Sequence, residues 1–108
     1  NTIGQNRLSA LHYAAINGNE KLLAFLCVKG ANINIKDKFG RTPLLLACKS
    51  GNLRIVNILL KLKAKINLPD TSNNTPLHYA CAFGFLEIVS TLLDERADIN
   101  SMNSWKTT

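Results

Sequence analysis

The sequence predicts an all-α repeat solenoid, because one pattern recurs three times along its 108 residues with a constant period. Residues of one type recur 33 positions apart, as in Gly18, Gly51 and Gly84, in Ala31, Ala64 and Ala97, and in Asn34, Asn67 and Asn100. No residue is inserted or deleted between the copies. Periods of about 20–50 residues are typical of proteins built from stacked units.

Each copy begins with the signals of a short helix, which are clearest in the second copy. Thr42 is a good N-cap, since its hydroxyl accepts a hydrogen bond from the first helical turn. Pro43 suits the first helical position, because the N–H that it lacks would have no partner there. The helix is predicted to run through Ser50 and to end at Gly51, which favours the left-handed conformation of a C-cap.

A second helix follows in each copy, and its apolar residues are spaced as one helical face. In the second copy this face consists of Leu53, Ile55, Val56, Leu59 and Leu60. The matching residues are Leu22, Leu23, Leu26 and Cys27 in the first copy, and Leu86, Ile88, Val89, Leu92 and Leu93 in the third. This spacing predicts an amphipathic helix. Beyond it, from Ile66 to Asn74, polar residues predict an extended, hairpin-like connection.

Helices this short are marginal alone, so the copies are expected to stack and bury each other's apolar faces. We divide the chain into units of about residues 1–33, 34–66 and 67–100, with residues 101–108 opening a further unit. About three units are the minimum for a stable array. The chain just reaches this number, but it begins inside a hairpin and ends as a further unit opens, so we expect it to be part of a longer array.

The composition excludes several classes of protein. With 46% hydrophobic and 19% charged residues, the chain can bury a core. Its longest apolar run, Leu22 to Val28, is too short to span a membrane, and no basic-then-apolar leader is present. The odd number of widely spaced cysteines does not form a disulfide framework. We expect an intracellular, cytoplasmic protein, since a reducing compartment fits free cysteines.

The repeated residues resemble the ankyrin repeat family over essentially the whole chain. The resemblance is carried by the segments Ser9–Ala15, Asp37–Cys48 and Thr75–Cys81 and by the unit ends Gly30–Asn34 and Arg96–Asn100. It implies antiparallel helix pairs joined by β-hairpin loops. It also implies binding of a protein partner, without catalysis, through the hairpin tips and the concave face of the first helices.

Several positions depart from the family pattern. The family histidine is Leu45 in the second copy, and the glycine represented by Gly30 is Lys63 and Arg96 in the next copies. A non-glycine residue in a left-handed position costs about 1 kcal/mol or more. The hairpin glycine is Gly40 once, then Asn73, which tolerates this conformation, and Lys106, which does so less well. These departures are expected to weaken local order without changing the fold.

Residues that could carry chemistry have a simpler structural interpretation. His12 and His78 can be considered as bases or metal ligands, but the family pattern places each at a helix start, bonded to the neighbouring hydroxyl and backbone. No carboxylate is spaced to orient either imidazole. Cys27, Cys48 and Cys81 lack the short spacing of zinc ligands, and we expect free, buried thiols.

The sequence also lacks a phosphate-binding motif, and its candidate modification sites have a structural alternative. The sequence contains no glycine-rich phosphate loop. We therefore predict that the chain is not an enzyme and holds no cofactor and no metal. In the family, the unit-end asparagine can be hydroxylated, so Asn34, Asn67 and Asn100 are possible modification sites, although such a side chain can equally bond its own hairpin.

Charge is distributed unevenly between the units. Residues 34–66 carry a net charge of +7 and residues 67–100 a net charge of −4, within a total of +6. Such opposed fields favour a partner of matching polarity, although surface charge also drifts between repeats. Lys61, Lys63 and Lys65, near the outer end of the second helix, are expected to be solvated rather than functional.

The family pattern places eight exposed residues on the hairpins and first helices as candidates for partner binding: Lys38, Phe39, Arg41, Lys49, Ser72, Asn74, Phe83 and Trp105. Phe39 and Trp105 hold equivalent hairpin positions and are expected anchors, because aromatic and arginine side chains dominate interface energetics; packing on a neighbouring hairpin is the alternative. The leading hypothesis is a scaffold that binds an acidic or amphipathic protein segment.

Two further functions stay open. The chain could be a regulatory or targeting segment of a larger enzyme or channel, which rests on fold-level analogy alone. A basic nucleic-acid-binding surface is the weaker alternative, because the third unit is acidic and no aromatic residues interleave with the basic ones.

Overall fold

The computed structural model describes residues 8–97, which form an all-α repeat solenoid of six helices and confirm the predicted fold class. The helices are α1 (Ala10–Asn17), α2 (Glu20–Val28), α3 (Pro43–Ser50), α4 (Leu53–Lys61), α5 (Pro76–Ala82) and α6 (Leu86–Asp94). Each of the three predicted units therefore contains one helix pair. The first helices α1, α3 and α5 pack side by side in one layer, and the second helices α2, α4 and α6 in another.

Local sequence signals begin the first helix of each unit as predicted, and α1 and α3 end at the left-handed Gly18 and Gly51, whereas α5 ends one residue earlier, at Phe83. The side chains of Ser9, Thr42 and Thr75 each accept the backbone N–H of the residue three positions on. Pro43 and Pro76 lie in the first turns of α3 and α5. These caps satisfy N–H groups that a helix start otherwise leaves without a partner.

The core runs without interruption through the three units, between the two helix layers. On α4, Ile55, Val56 and Leu59 are fully buried, whereas Leu53 and Leu60 are half-buried at the edges of the predicted apolar face. Leu23 and Leu92 hold the positions of Val56 and Leu59 in neighbouring units, and both are buried. Burial of a leucine or isoleucine contributes about 1.5–3 kcal/mol, so contacts between units supply much of the stability.

The predicted β-hairpin loops are present as hydrogen-bonded turns, and no residue between 8 and 97 is in a strand. The two turns, at residues 37–41 and 70–74, are called the tips. Asp37 N–H donates to the Arg41 carbonyl at 3.0 Å, and Asp70 N–H donates to the Asn74 carbonyl at 2.9 Å. The tips are joined because Thr71 N–H donates to the Phe39 carbonyl at 2.9 Å.

The positions at which the family pattern calls for glycine are left-handed whichever residue occupies them. Gly30 has φ 94°, and the equivalent Lys63 and Arg96 have φ 72° and 73°. In the tips, Gly40 has φ 74° and Asn73 φ 67°. The prediction that Lys63 and Arg96 carry backbone strain is therefore confirmed, whereas Lys106 lies outside the described residues.

The prediction of three buried thiols is wrong for two of the cysteines. All three are free, as expected, but only Cys48 is buried; Cys27 is half-buried and Cys81 is exposed. Cys48 lies on α3, against which α5 packs. No described helix packs on the outer side of α5, so Cys81 lacks that cover. Burial raises the pKa of all three thiols, which keeps them protonated near neutral pH.

None of the helices between residues 8 and 97 is long and apolar enough to cross a membrane. The intracellular location and the boundaries of the units stay predictions.

Candidate partner-binding surface

The candidate surface consists of the two tips, the exposed side chains of α3 and α5, and Phe83 directly after α5, and we call it the tip face. Its first part is organised by Asp37, which is buried. Asp37 Oδ1 accepts the backbone N–H groups of Phe39 at 2.9 Å and Arg41 at 2.8 Å. Asp37 Oδ2 accepts Arg41 Nε–H at 2.7 Å. One carboxylate thus fixes both the turn and the direction of the arginine side chain.

The turn presents Phe39 to solvent between two cationic side chains. Its side chain is 43% exposed. Arg41 Cζ lies 5.0 Å from the centroid of the ring and Lys38 Nζ lies 5.9 Å from it. Both distances are within the range of cation–π attraction. Phe39 packs with its own tip's cations, so its ring is held in place while part of it stays available for contact.

The second tip repeats this design with a different third donor. Asp70, which is also buried, accepts the N–H groups of Ser72 and Asn74 on Oδ1, each at 2.9 Å. Its Oδ2 accepts the hydroxyl of Tyr79 from α5 at 2.6 Å. Asn74 Nδ2–H also donates to the Tyr79 hydroxyl oxygen at 3.4 Å. Ser72 is therefore exposed on the tip, whereas the side chain of Asn74 is partly occupied in holding Tyr79.

An aromatic strip continues from this tip along α5. The Tyr79 and Phe83 rings are stacked with centroids 6.4 Å apart, and Phe83 and Phe85 are 5.8 Å apart. Lys49 on α3 places Nζ 5.6 Å from the centroid of Tyr79. Burial, and then the bond to Asp70, raise the pKa of Tyr79, so its hydroxyl remains a donor at neutral pH. Phe83 is the middle ring of the strip and, at 51%, the most exposed of the three.

The placement of exposed carboxylates distinguishes the tip face from the opposite side of the solenoid. Of the carboxylates between residues 8 and 97, Asp37 and Asp70 are buried. The others belong to α2, to α6 and to the residue that follows α6: Glu20, Glu87, Asp94 and Glu95. The tip face, in contrast, carries exposed lysines at Lys38 and Lys49. Within the described residues it therefore presents positive charge with no exposed carboxylate.

The histidines have the structural role that the family pattern implies. His12 and His78 are buried and form capping boxes with Ser9 and Thr75. His12 Nε2 also lies 2.7 Å from the Arg41 carbonyl oxygen, which ties α1 to the first tip. Desolvation lowers the pKa of His12, although the bond to Arg41 opposes this effect. Between residues 8 and 97, no cluster of three or more His, Cys, Asp or Glu side chains could hold a metal ion.

Seven of the eight predicted partner-binding residues lie on the tip face, and contacts link them to one another. Lys38, Phe39 and Arg41 form the first tip, Ser72 and Asn74 belong to the second, and Lys49 and Phe83 flank Tyr79. Trp105 lies outside the described residues. That these residues contact a partner stays a prediction.

Three residues that organise this surface were not predicted from the sequence: Asp37, Asp70 and Tyr79. The recurrence of aspartate at an interval of 33 residues, three positions before Gly40 or Asn73, was the available signal, because aspartate commonly bonds the backbone of its own turn. The expected absence of aromatic residues among the basic ones was wrong, since Lys38, Arg41 and Lys49 all lie over aromatic rings.

The unit-end asparagines remain possible modification sites only as a prediction. Asn34 Oδ1 accepts the backbone N–H of Lys65 at 2.9 Å, so this side chain joins one unit end to the next. Asn100 lies outside the described residues.

Comparison with known proteins supports one family. A family model for ankyrin repeats in three copies matches residues 11–103. Similar proteins include the putative ankyrin repeat protein L271 of Acanthamoeba polyphaga mimivirus, 45% identical over 42 residues, and protein glp-1 of Caenorhabditis elegans, 44% identical over 41 residues. The human fibronectin type 3 and ankyrin repeat domains protein 1 is 40% identical over 37 residues. These matches cover 39%, 38% and 34% of this chain but only 6%, 3% and 11% of the respective relatives.

Proposed function

The chain belongs to the ankyrin repeat family, whose repeats are generally protein–protein interaction modules and typically non-catalytic, and we propose that it binds an acidic, amphipathic segment of a protein partner through the tip face. The observation that carries this proposal is the charge of that face. Its two carboxylates, Asp37 and Asp70, are buried and accept hydrogen bonds from backbone and side-chain donors, whereas Lys38 and Lys49 are exposed. An acidic segment approaching this side meets attraction without a repelling carboxylate among the described residues.

The apolar part of the partner would contact the exposed rings. Phe39 and Phe83 are about half exposed and are held by neighbouring side chains, so little conformational entropy is lost when a partner covers them. Aromatic and arginine side chains are enriched among the residues that contribute most to binding at protein interfaces. We therefore expect acidic residues of the partner near Lys38 and Lys49, and an apolar residue against each ring.

The direct test is binding of a fluorescein-labelled peptide of alternating glutamate and leucine residues, measured by fluorescence anisotropy at low and high salt. The double variant Phe39→Ala/Lys49→Ala is expected to weaken binding by about tenfold or more, since an aromatic anchor and one charge contact are both removed. Arg41 is left unchanged, because its guanidinium supports the fold of the tip.

The solenoid contains a matched control on its other side. Lys29 Nζ lies 5.6 Å from the ring centroid of Phe25, which is 56% exposed, so α2 carries a comparable cation–aromatic pair. The variant Phe25→Ala/Lys29→Ala replaces the same two residue types as Phe39→Ala/Lys49→Ala. It is expected to change affinity less than about twofold, because both residues lie outside the proposed interface. Equal losses in the two double variants would contradict the proposal.

Nucleic acid is the second candidate for this surface, favoured by the lysines over Phe39 and Tyr79, since bases stack on aromatic side chains beside cations. Anisotropy with single-stranded DNA and RNA at two salt concentrations separates the two candidates. Binding of either oligonucleotide more tightly than the acidic peptide would favour this alternative. A regulatory role within a larger enzyme or channel remains a further proposal that the full-length parent sequence would test.

A further inference from the structure

A second surface with binding chemistry lies on the opposite side of the solenoid, between α4 and α6. Here the two second helices leave an open groove of about 500 Å³. Its lining residues are Asn57, Leu60, Lys61, Lys63, Thr91 and Glu95. The groove contains none of the residues of the tip face, from which both helix layers separate it.

The polar character of this groove is specific to its position in the array. The residues that occupy the same places one unit earlier, between α2 and α4, are Ala24, Cys27, Val28, Gly30, Ile58 and Leu62. All six are apolar or glycine, whereas five of the six residues between α4 and α6 carry a charge or a hydrogen-bonding group. The same geometric site therefore has different chemistry in neighbouring units, and the comparison identifies the second one as suited to a polar ligand.

The two lysines are available to such a ligand. Lys61 and Lys63 are exposed, and within residues 8–97 neither takes part in an ion pair. Lys63 is in the left-handed conformation, with φ 72°, and the equivalent residue of the preceding unit is Gly30. Arg96, after α6, is also left-handed, so the same strain occurs in two units. Of these two residues, only Lys63 lines the groove. Lys63 therefore lines the groove at a cost in backbone strain.

We infer that the groove between α4 and α6 is a second docking site that takes a carboxylate side chain from an acidic protein segment. Lys61, Lys63 and the Asn57 amide supply donors, and Leu60 supplies an apolar floor. Glu95 on the opposite wall favours a carboxylate, which carries one negative charge, over a phosphate group, which carries up to two, because its own charge repels the doubly charged group more strongly. The chain would then hold two acidic segments on opposite faces at once, which gives avidity towards a partner that carries both.

The test separates this site from the tip face. The background is the Phe39→Ala/Lys49→Ala chain, which lacks the proposed tip contacts, and the probe is a fluorescein-labelled decaglutamate peptide followed by anisotropy. Adding Lys61→Gln/Lys63→Gly is expected to weaken binding by about tenfold, as two close charge contacts are lost. Lys63→Gly also relieves the left-handed strain, so the melting temperature should not fall and unfolding cannot explain the loss.

The control removes the same number of charges outside the groove. Lys21 and Lys65 are exposed on the same side and do not line the groove. Lys21→Gln/Lys65→Gln is expected to weaken binding less than about twofold, because charges that do not line the groove act on the ligand only through screened attraction. Equal effects of the two pairs would show attraction by net charge only and overturn the inference.

Two further measurements have outcomes that depend on the groove itself. Glu95→Gln is expected to strengthen decaglutamate binding by about two- to fivefold, because a repelling carboxylate is removed. In ¹⁵N–¹H spectra, decaglutamate should shift the amide signals of Asn57, Thr91 and Glu95. Shifts confined to residues 37–49, or a single-stranded oligonucleotide that binds more tightly than decaglutamate through Lys61 and Lys63, would overturn the assignment. Because the tip variants are already present, failure here leaves the proposed tip-face function untouched.

Discussion

The two tips have the same internal hydrogen bonds but present different chemistry to a partner. In each, the Oδ1 atom of a buried aspartate accepts two backbone N–H groups, at 2.9 and 2.8 Å in residues 37–41 and at 2.9 Å twice in residues 70–74. The difference lies at Oδ2, which accepts Arg41 from its own tip in one case and Tyr79 from α5 in the other.

This difference shows how a repeat array varies its surface at constant fold. Because one aspartate accepts the backbone N–H groups of the turn, the side chains at the second and third positions of the turn are not needed to hold its conformation. In the first tip these two positions are Lys38 and Phe39. In the second tip they are Thr71 and Ser72, and the aromatic side chain is supplied by Tyr79 of α5. Adjacent units can therefore offer a cationic and an aromatic contact side by side.

The largest effect should follow from removing the aspartates. Asp37→Ala and Asp70→Ala are each expected to lower the free energy of unfolding by about 3 kcal/mol, because two backbone donors and one side-chain donor lose a buried acceptor. Urea denaturation followed by circular dichroism measures this change. Asp94→Ala, an exposed carboxylate on α6, is the control and should change stability by less than about 0.5 kcal/mol. A loss below about 1 kcal/mol at only one tip would show that the two turns are not equivalent.

A smaller effect is expected at the fourth position of each tip, where the backbone is left-handed. Gly40→Ala should destabilise the chain by about 2 kcal/mol, because a left-handed alanine is strained. Its Cβ would also lie 3.1 Å from the Thr71 backbone nitrogen. Asn73→Gly at the matching position should change stability by less than about 0.5 kcal/mol, since asparagine already tolerates this conformation. Thermal unfolding of the two variants measures the contrast, and equal losses would contradict it.

The parts of the fold that depend on neighbouring residues could be predicted from the sequence. Thr42, Pro43 and Gly51 determine the ends of α3 through bonds within a few residues, and the repeat transfers this result to the other units. The left-handed conformation of Lys63 and Arg96 followed in the same way from their alignment with Gly30.

Features created by packing between units could not be predicted in this way. Lys49 and Tyr79 are 30 positions apart and meet only because α3 and α5 pack side by side. The exposure of Cys81 depends on whether another helix covers α5. Its equivalence to the buried Cys48 in the repeat does not predict that cover. The different partners of Asp37 and Asp70, in contrast, arise within one unit, because Tyr79 donates to Asp70 of its own unit and the equivalent residue after Asp37 is Leu46.

The smallest predicted effect concerns the connection of each tip to the preceding first helix. His12 on α1 bonds the Arg41 carbonyl of the first tip, but the equivalent residue for the second tip is Leu45, whose side chain cannot form a hydrogen bond. Because desolvation lowers the pKa of His12 below 6.5, its value when exposed, the unfolded chain binds more protons as the pH falls through this region. Stability is therefore present above about pH 6.5 and is lost as the solution becomes more acidic.

Hydrogen exchange, corrected for the intrinsic pH dependence of exchange, tests whether this loss is local. Acidification should reduce the protection of the Asp37 and Gly40 amides, which lie in the tip tied to His12, more than that of the Asp70 and Asn73 amides. In the His12→Gln variant, which keeps an amide donor but cannot titrate, the difference between the tips should no longer depend on pH. Parallel losses of protection at both tips would mean that protonation of His12 weakens the whole array, and that the two tips are coupled through the bond between Thr71 and Phe39.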